Sequence, residues 1–288
     1  MYICLGMAYT RNAYQDQQVF INGVELKGVQ SFDGSWSVPN NDLLAAGYEF
    51  VGSEIEGELV GEVSVSRNII TGEDPITGMM HDMVSGYLLY GPNQSKNNSF
   101  NFNNGYITSY SSACSIGEIA TEDFSLSAYG DIGTGNITDT TYDEIEPVVA
   151  TANSMTLNTS FGDTNAIQSY SLDVSFNITP IYKMGDMFIP SKFEVATPIN
   201  VSTNFVVVAN EYEIKNLIDS VCSSDFVENI SFSLNEKCSS TPIRSFTLNN
   251  AKLTSSSISA SIGDNLSLNL SFENKFSSIT GMVDQLFS

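Results

Sequence analysis

The chain contains an internal repeat, which constrains its fold more than any other feature of the sequence. The stretch Ser99–Gly117 aligns without a gap on Ser245–Gly263, with ten identical positions. A second pair of similar stretches, Val29–Phe32 and Ile167–Tyr170, occurs in the same order. Two repeats in one order, about 140 residues apart, indicate that a unit has been duplicated.

The 288 residues are therefore predicted to form two domains, each long enough for its own core. The expected boundaries are 1–133 for the first domain, 134–154 for a connector and 155–288 for the second. The connector is rich in Gly, Thr and Asp and contains few large apolar residues, which is typical of a linker.

Strict alternation of apolar and polar residues predicts a mainly β fold. Residues 51–65 and residues 192–207 alternate in this way, and only 15% of the chain is charged, so Ser, Thr and Asn supply most polar positions. Further strands are predicted in both halves, at 18–24, 27–38, 99–112, 122–130, 167–178, 244–256 and 264–273. Short helices are predicted at 41–46, 211–221 and 279–287, and long insertions at 67–98 and 209–243.

A row of glutamates shares the polar parity of the first alternating stretch: Glu54, Glu56, Glu58 and Glu62. Such residues point to one side of a strand at steps of about 6–7 Å. The row can be a solvated strand face, the lining of an acidic channel, a Ca²⁺ site or a catalytic carboxylate pair. The last two are disfavoured because the row lacks a turn that would gather its oxygens.

The formal net charge is −22, and it is uneven: −16 in residues 1–146 and −6 in residues 147–288. Binding to a nucleic-acid backbone needs Lys and Arg, so this composition argues against a nucleic-acid-binding protein. It also fits a β-rich protein kept in solution by its charge.

The sequence offers little for catalysis, so the chain is predicted not to be an enzyme, with no cofactor and no metal. The single histidine, His81, is interpreted as a loop residue, and the four cysteines lack metal-ligand spacing. Cys114 aligns on Ala260 and is predicted to be a small buried residue. Trp36 has the apolar parity of its strand and is predicted to lie in the core. No run reaches transmembrane length, and no membrane partner is expected.

The recurring stretches resemble those of bacteriophage tail tube (major tail) proteins. The run Phe20–Ser31 is similar to the opening hairpin of that family, and Phe102–Ser111, Ser115–Thr121 and Ala128–Gly133 are similar to its closing strands. In the second half the similarity lies in Ile167–Tyr170 and in Leu248–Gly263.

This resemblance implies two tandem tail-tube-like β-sandwich or barrel domains and a structural role in the virion tail, assembled in the host cytoplasm. Its subunits would form stacked rings whose acidic lumen conducts the genome during ejection, with Glu54, Glu56, Glu58 and Glu62 facing the lumen. The implied partners are other copies of the chain, in a trimeric pseudo-hexameric ring or a hexamer, and other tail proteins such as the tape measure, terminator and baseplate or tip. DNA would pass without specific binding.

Two alternatives stay open from the residues. A β-sandwich adhesin or carbohydrate-binding virion decoration protein would expose aromatic residues near its loops. A hydrolase using the glutamate row would need a second carboxylate cluster.

Overall fold

The fold is mainly β, as the alternation predicts, in a computed structural model. The structure describes residues 17–37, 41–43, 52–54, 59–71, 76–89, 99–130, 132–133, 148–159, 162–164, 167–185, 189–208, 227–236, 241–260 and 266–287.

The first half contributes ten strands and a short helix within these ranges. They are β1 Gln18–Ile21, β2 Val24–Glu25, β3 Val29–Ser37, β4 Asn41–Leu43, β5 Gly52–Glu54, β6 Val60–Asn68, α1 Ile76–Met79, β7 Val84–Leu89, β8 Ser99–Ser115, β9 Thr121–Tyr129 and β10 Ile132–Gly133.

The second half contributes nine strands and a helix within the described ranges. They are β11 Ala150–Thr159, β12 Gly162–Thr164, β13 Ile167–Ser175, β14 Ile178–Ile181, β15 Lys192–Val195, β16 Ile199–Val208, β17 Val227–Glu236, β18 Pro242–Ser259, β19 Ser267–Phe276 and α2 Ile279–Leu286.

Fifteen of these strands form one antiparallel sheet, in which the two halves follow the same order. The first half reads β2-β1-β7-β8-β9-β6-β3, and the second reads β12-β11-β17-β18-β19-β16-β13. Strands β4 and β5 form a separate hairpin between β3 and β6, and β14 and β15 form one between β13 and β16. The sequence repeat is therefore accompanied by a repeat of topology.

The β-bulges also recur at equivalent positions. The register of β3 on β6 shifts at Gln30, and that of β13 on β16 shifts at Gln168. The register of β8 on β9 shifts at Thr108, and that of β18 on β19 shifts at Thr254. Each threonine hydroxyl also donates to a carbonyl of the partner strand, that of Ser125 in the first half and that of Ser271 in the second. A bulge re-aims the strand that carries it, so equivalent bulges bend both halves alike.

Strands β8 and β18 are long and change partners along their length. The start of β8 pairs with β7, and its end pairs with β9 on one side and β13 on the other. The start of β18 pairs with β17, and its end pairs with β19. Eight strands in the order β3-β6-β9-β8-β13-β16-β19-β18 thus form a continuous wall across both halves, which we call the main sheet.

The hydrophobic core is shared by the two halves. Its largest buried side chains are aromatic and come from strands of both: Phe102, Tyr110, Phe124, Phe205, Phe232 and Phe246. Helix α2 closes this core, with Phe287 against the rings of Tyr110 and Phe246. The predicted helix at 279–287 is confirmed, and Ser278 caps it by accepting from the Gly281 N–H at 3.1 Å.

Several local predictions differ from the structure. The helix expected at 41–46 is wrong at its start, because 41–43 is a strand paired with 52–54. The insertions at 67–98 and 209–243 contain β7 and β17, which are members of the large sheet rather than loops. The helix expected at 211–221 lies outside the described residues.

The expected connector, 134–154, overlaps the first strand of the second half. Strand β11 begins at Ala150, whose N–H donates to the Ile69 carbonyl and whose carbonyl accepts from the Ala120 N–H. This part of the connector is therefore tied to the first half by main-chain hydrogen bonds. The division into two domains remains a prediction, since sheet and core both continue across it.

Candidate functional site: two open sheet edges and a polar face

The two halves meet where β13 pairs with the end of β8. Their register runs from Ser169 opposite Ser115 to Ser175 opposite Ser109. The pairing buries Leu172 and Val174 completely or nearly so, at 0% and 2% exposure. This pairing of β13 with the end of β8, which we call the internal joint, is thus stabilised both by main-chain hydrogen bonds and by apolar side chains.

Within the described residues, the main sheet ends in two open edges, which belong to different strands. Strand β3 pairs on one side with β6, and the end of β18 pairs on one side with β19. In the repeat, β3 is the counterpart of β13, and the end of β18 is the counterpart of the end of β8. The open edges are therefore the counterparts of the two strands that form the internal joint.

The prediction that Trp36 lies in the core is wrong, because it is on the open edge. Trp36 is 56% exposed, whereas its counterpart Val174 is buried by the neighbouring strand β8. Trp36 stacks on the ring of Phe100, at a centroid distance of 5.8 Å. On the other edge Ile258 is 48% exposed, whereas its counterpart Ser112 is fully buried. Both edges thus present large apolar side chains on the core side of the sheet.

One face of the main sheet packs on the core, and the other is polar. Cross-strand register places these side chains on the polar face, with serine dominating: Ser31, Asp33, Ser35, Glu62, Ser64, Ser66, Ser109, Ser111, Asp123, Ser125, Ser169, Ser171, Asp173, Ser202, Asn204, Ser255, Ser257, Asn269, Ser271 and Glu273. A cavity of about 320 Å³ lies on this face, lined by Ser31, Ser64, Ser66, Ser109, Asp123 and Ser125. Partial burial raises the pKa of the Asp173 carboxyl.

Five carboxylates and two lysines lie on the polar face of the described part of the main sheet. The carboxylates are spread over both halves, whereas Lys252 and Lys275 both lie in the second half, on β18 and β19. Lys275 pairs loosely with Glu273 at 3.6 Å, and both lysines are exposed. The net charge of this face is therefore negative.

The predicted glutamate row is only partly within the described residues. Glu62 lies on β6, exposed on the polar face. Glu54 lies on β5, in the separate hairpin, opposite Asn41. Glu56 and Glu58 lie outside the described residues. The alternating stretch 51–65 thus contains two different strands, and a common lumen-facing row stays a prediction.

The hairpin β14–β15 folds from the second half over the first. Phe193 of β15 packs on Tyr106 and Tyr129, with ring centroids 4.3 and 5.1 Å away. These two tyrosines stand on the polar face of β8 and β9, and Phe193 covers them. Burial raises the pKa of Tyr106, and the charge of Asp82 raises it further.

A buried ion cluster joins the halves on the core side of the sheet. The Glu122 carboxylate accepts from Arg67 at 2.7 Å, from Arg244 at 3.0 Å and from the Tyr110 hydroxyl at 3.1 Å. Arg67 and Glu122 belong to the first half, and Arg244 belongs to the second. Burial, and then the nearby charge of Arg67, lower the pKa of Arg244. The cluster holds β18 against β6 and β9, and sequence reasoning missed it because nothing local pairs residues 67, 122 and 244.

The described residues contain no candidate metal site. Within them, no group of three or more His, Cys, Asp and Glu side chains is placed to hold a metal ion. Cys114 is buried, as predicted, and its thiol lies 3.6 Å from the Glu118 carbonyl oxygen. His81 lies in the turn after α1. No helix in this part of the chain is both long and apolar enough to cross a membrane.

No protein-family model matches this chain, and a search of curated proteins finds no match either.

Proposed function

We propose that this chain is the structural subunit of a bacteriophage tail tube, which forms stacked rings around an acidic lumen that conducts the viral genome. The observation that carries the proposal is the internal joint of β13 on β8, together with two open edges that are the counterparts of these same strands. A chain whose two ends are complementary associates head to tail.

Head-to-tail association either closes into a ring or continues as an open filament. Each chain brings two equivalent units of four main-sheet strands. Three chains would then give six units around the axis, which is the trimeric pseudo-hexameric ring; six chains are the alternative. Closing the ring pairs both open edges of the main sheet, which are the kind of exposed edge that makes a sheet prone to uncontrolled association.

The polar face suits the inner wall of such a ring. Most of its side chains are serines, and it carries more carboxylates than lysines. A phosphate backbone would therefore meet no cationic surface to bind and would be repelled by the net negative charge. The proposed partners are other copies of this chain and the tail proteins at the two ends of the tube, and the proposed location is the virion tail.

The experiment is electron microscopy of the purified full chain, with mass photometry for the copy number. Rings or tubes with three copies per ring are expected. Six copies per ring would keep the tube but exclude the pseudo-hexamer. A chain that stays monomeric at high concentration, or a ring with Glu62 and Asp123 on its outer surface, refutes the proposal.

One observation favours the second candidate, a carbohydrate-binding decoration protein. The exposed indole of Trp36 offers a stacking surface of the kind that sugars use. That candidate predicts a stable monomer that binds glycans on an array and loses binding in Trp36→Ala.

A further inference from the structure

The internal joint specifies how a second copy of this chain fits the open edges. Bulges at equivalent residues fix the correspondence between the halves, with Gln30 equivalent to Gln168 and Thr108 equivalent to Thr254. Every pair in the internal joint then has a defined counterpart between copies.

The counterpart register places Ser35 of one copy opposite Ser257 of the next, as Asp173 lies opposite Ser111. It also places Trp36 opposite Ser256, as Val174 lies opposite Tyr110. A large side chain meets a small one here, so the indole of one edge has room beside the other. Gly34 falls opposite Ile258 in the same way, and the exposed isoleucine meets a residue without a side chain.

The small hairpins are equivalent as well. Asn41 lies opposite Glu54 in β4–β5, and Thr179 lies opposite Glu194 in β14–β15, which is the same register under the correspondence. The position of Pro180, directly opposite Phe193, is held in the first hairpin by Asp42, directly opposite Ser53.

The surfaces beneath the two hairpins differ in a matching way. Within the chain, Phe193 covers Tyr106 and Tyr129. Their counterparts in the second half are Lys252 and Lys275, which are both exposed. In the second half, the hairpin β14–β15 places an aromatic ring on two tyrosines. The equivalent hairpin β4–β5 is acidic, and the residues equivalent to the two tyrosines are lysines.

The charges around the first hairpin and around the two lysines are also complementary. Residues 28–66, which include β4–β5, contain seven Asp and Glu residues and no Lys or Arg. Lys252 and Lys275 are the two lysines on the polar face of the described main sheet, and they lie beside the open edge at β18.

We propose that β3 of a second copy pairs with the end of β18 in the register Ser35–Ser257, and that its hairpin β4–β5, in which Asp42 holds the register position of Pro180, lies over Lys252 and Lys275. This inference rests on the proposed function, since it specifies the joint of the ring. It assigns the acidic segment around Glu54 to contact between copies. It also covers both lysines, so the charged side chains left exposed on the described part of the polar face are all carboxylates.

The register is tested by cysteine cross-linking of the full chain. The double variant Ser35→Cys/Ser257→Cys is expected to form disulfide-linked dimers and trimers on oxidation, because directly opposite residues of antiparallel strands fall within disulfide range. Each single variant, and the displaced pair Ser37→Cys/Ser257→Cys, serves as a control for the native cysteines. Cross-linking that is equal in the displaced pair overturns the register.

The lysine contact is tested by charge reversal. Lys252→Glu/Lys275→Glu is expected to raise the concentration needed for assembly at least about fivefold, and adding Asp42→Lys is expected to recover most of the loss. The control, Lys183→Glu/Lys192→Glu, changes the net charge equally at exposed positions of the other hairpin. Circular dichroism checks that each variant is folded.

The outcomes distinguish a failure of the hairpin contact from a failure of the proposed function. Rings that form and cross-link in register, but assemble equally well with both double reversals, overturn the hairpin contact and leave the tube intact. A chain that never assembles overturns the proposed function itself. Loss of assembly in both double reversals alike shows an effect of net charge and also overturns the contact.

Discussion

Replacing Trp36 by serine is expected to weaken both the folding of the chain and its assembly, and a matched variant distinguishes the two effects. Trp36 sits on the open edge β3, half covered by its own chain through Phe100. Its counterpart Val174 is covered entirely within the chain, so Val174→Ser is the matched control.

The exposed fraction of Trp36 sets the size of the effect. A fully buried aromatic side chain removes about 150–250 Å² from water. Since Trp36 is 56% exposed, a partner strand that buries it as fully as Val174 removes a further ~140 Å². At about 25 cal/mol per Å² this contributes up to about 3.5 kcal/mol to the joint. The part already buried contributes about 3 kcal/mol to folding of the chain.

Two measurements on each variant test this division. Urea unfolding of the dilute, unassembled chain is expected to show a loss of roughly 2–3 kcal/mol in the free energy of unfolding for both variants. The concentration at which rings appear, followed by light scattering, is expected to rise about 100-fold or more for Trp36→Ser. For Val174→Ser it is expected to stay near the wild-type value, under conditions where both variants are folded.

Equal effects of the two variants on assembly would show that Trp36 is not buried between copies. The same holds if Trp36→Ser assembles normally, since the indole then stays exposed between copies and β3 is not the edge that pairs.

Three further predictions concern the folded chain. Glu122→Ala leaves Arg67 and Arg244 buried without their shared carboxylate, so urea titration is expected to show a free energy of unfolding lower by about 3–5 kcal/mol. The control Glu194→Ala breaks the exposed pair with Lys192 and is expected to cost less than about 1 kcal/mol in the same titration. Burial raises the pKa of Tyr110 and of Tyr170, so stability is full below about pH 10 and falls above it, because the unfolded chain loses these protons first. Tyr110→Phe is expected to make this fall shallower by about 1.4 kcal/mol per pH unit between about pH 10.5 and 11.5, and an unchanged slope contradicts it. Phe193→Ala removes the ring that covers Tyr106 and Tyr129 and is expected to lower the free energy of unfolding by about 2–3 kcal/mol, with Lys192→Ala in the same titration as the control that leaves this contact intact.

The strands with the clearest alternation were predictable because burial on one face imposes a period of two. Strand β13 and strand β19 follow this rule within a few residues of their predicted bounds. The helix predicted at 41–46 is wrong at 41–43 because so short a stretch has no period of its own, and the pairing of 41–43 with 52–54 decides its conformation. Strand β7 was missed because its six residues contain a glycine and an apolar pair that interrupt the alternation. Strand β17 does alternate at Ile230, Phe232 and Leu234, and it was missed because 209–243 was interpreted as an insertion.

The candidate site was likewise predictable from the sequence only in part. The parity of Trp36 correctly indicated the core side of β3, yet the prediction of burial failed because none of the described strands covers that edge. Glu122 and Arg244 look like ordinary surface charges in sequence, and only the stacking of β18 against β6 and β9 brings them together.

By itself the sequence determined the mainly β fold, the repeated strands and the uneven acidity, since these follow from local alternation, composition and self-similarity. Only the tertiary contacts show that, among the described strands, β13 pairs with one edge of the first half while β3 and the end of β18 have no neighbour on their other side. Strand neighbours are set by contacts between residues far apart in the chain, and no local pattern records them. That choice leaves Val174 buried and Trp36 exposed at equivalent positions of the repeat, and the proposed assembly rests on this difference.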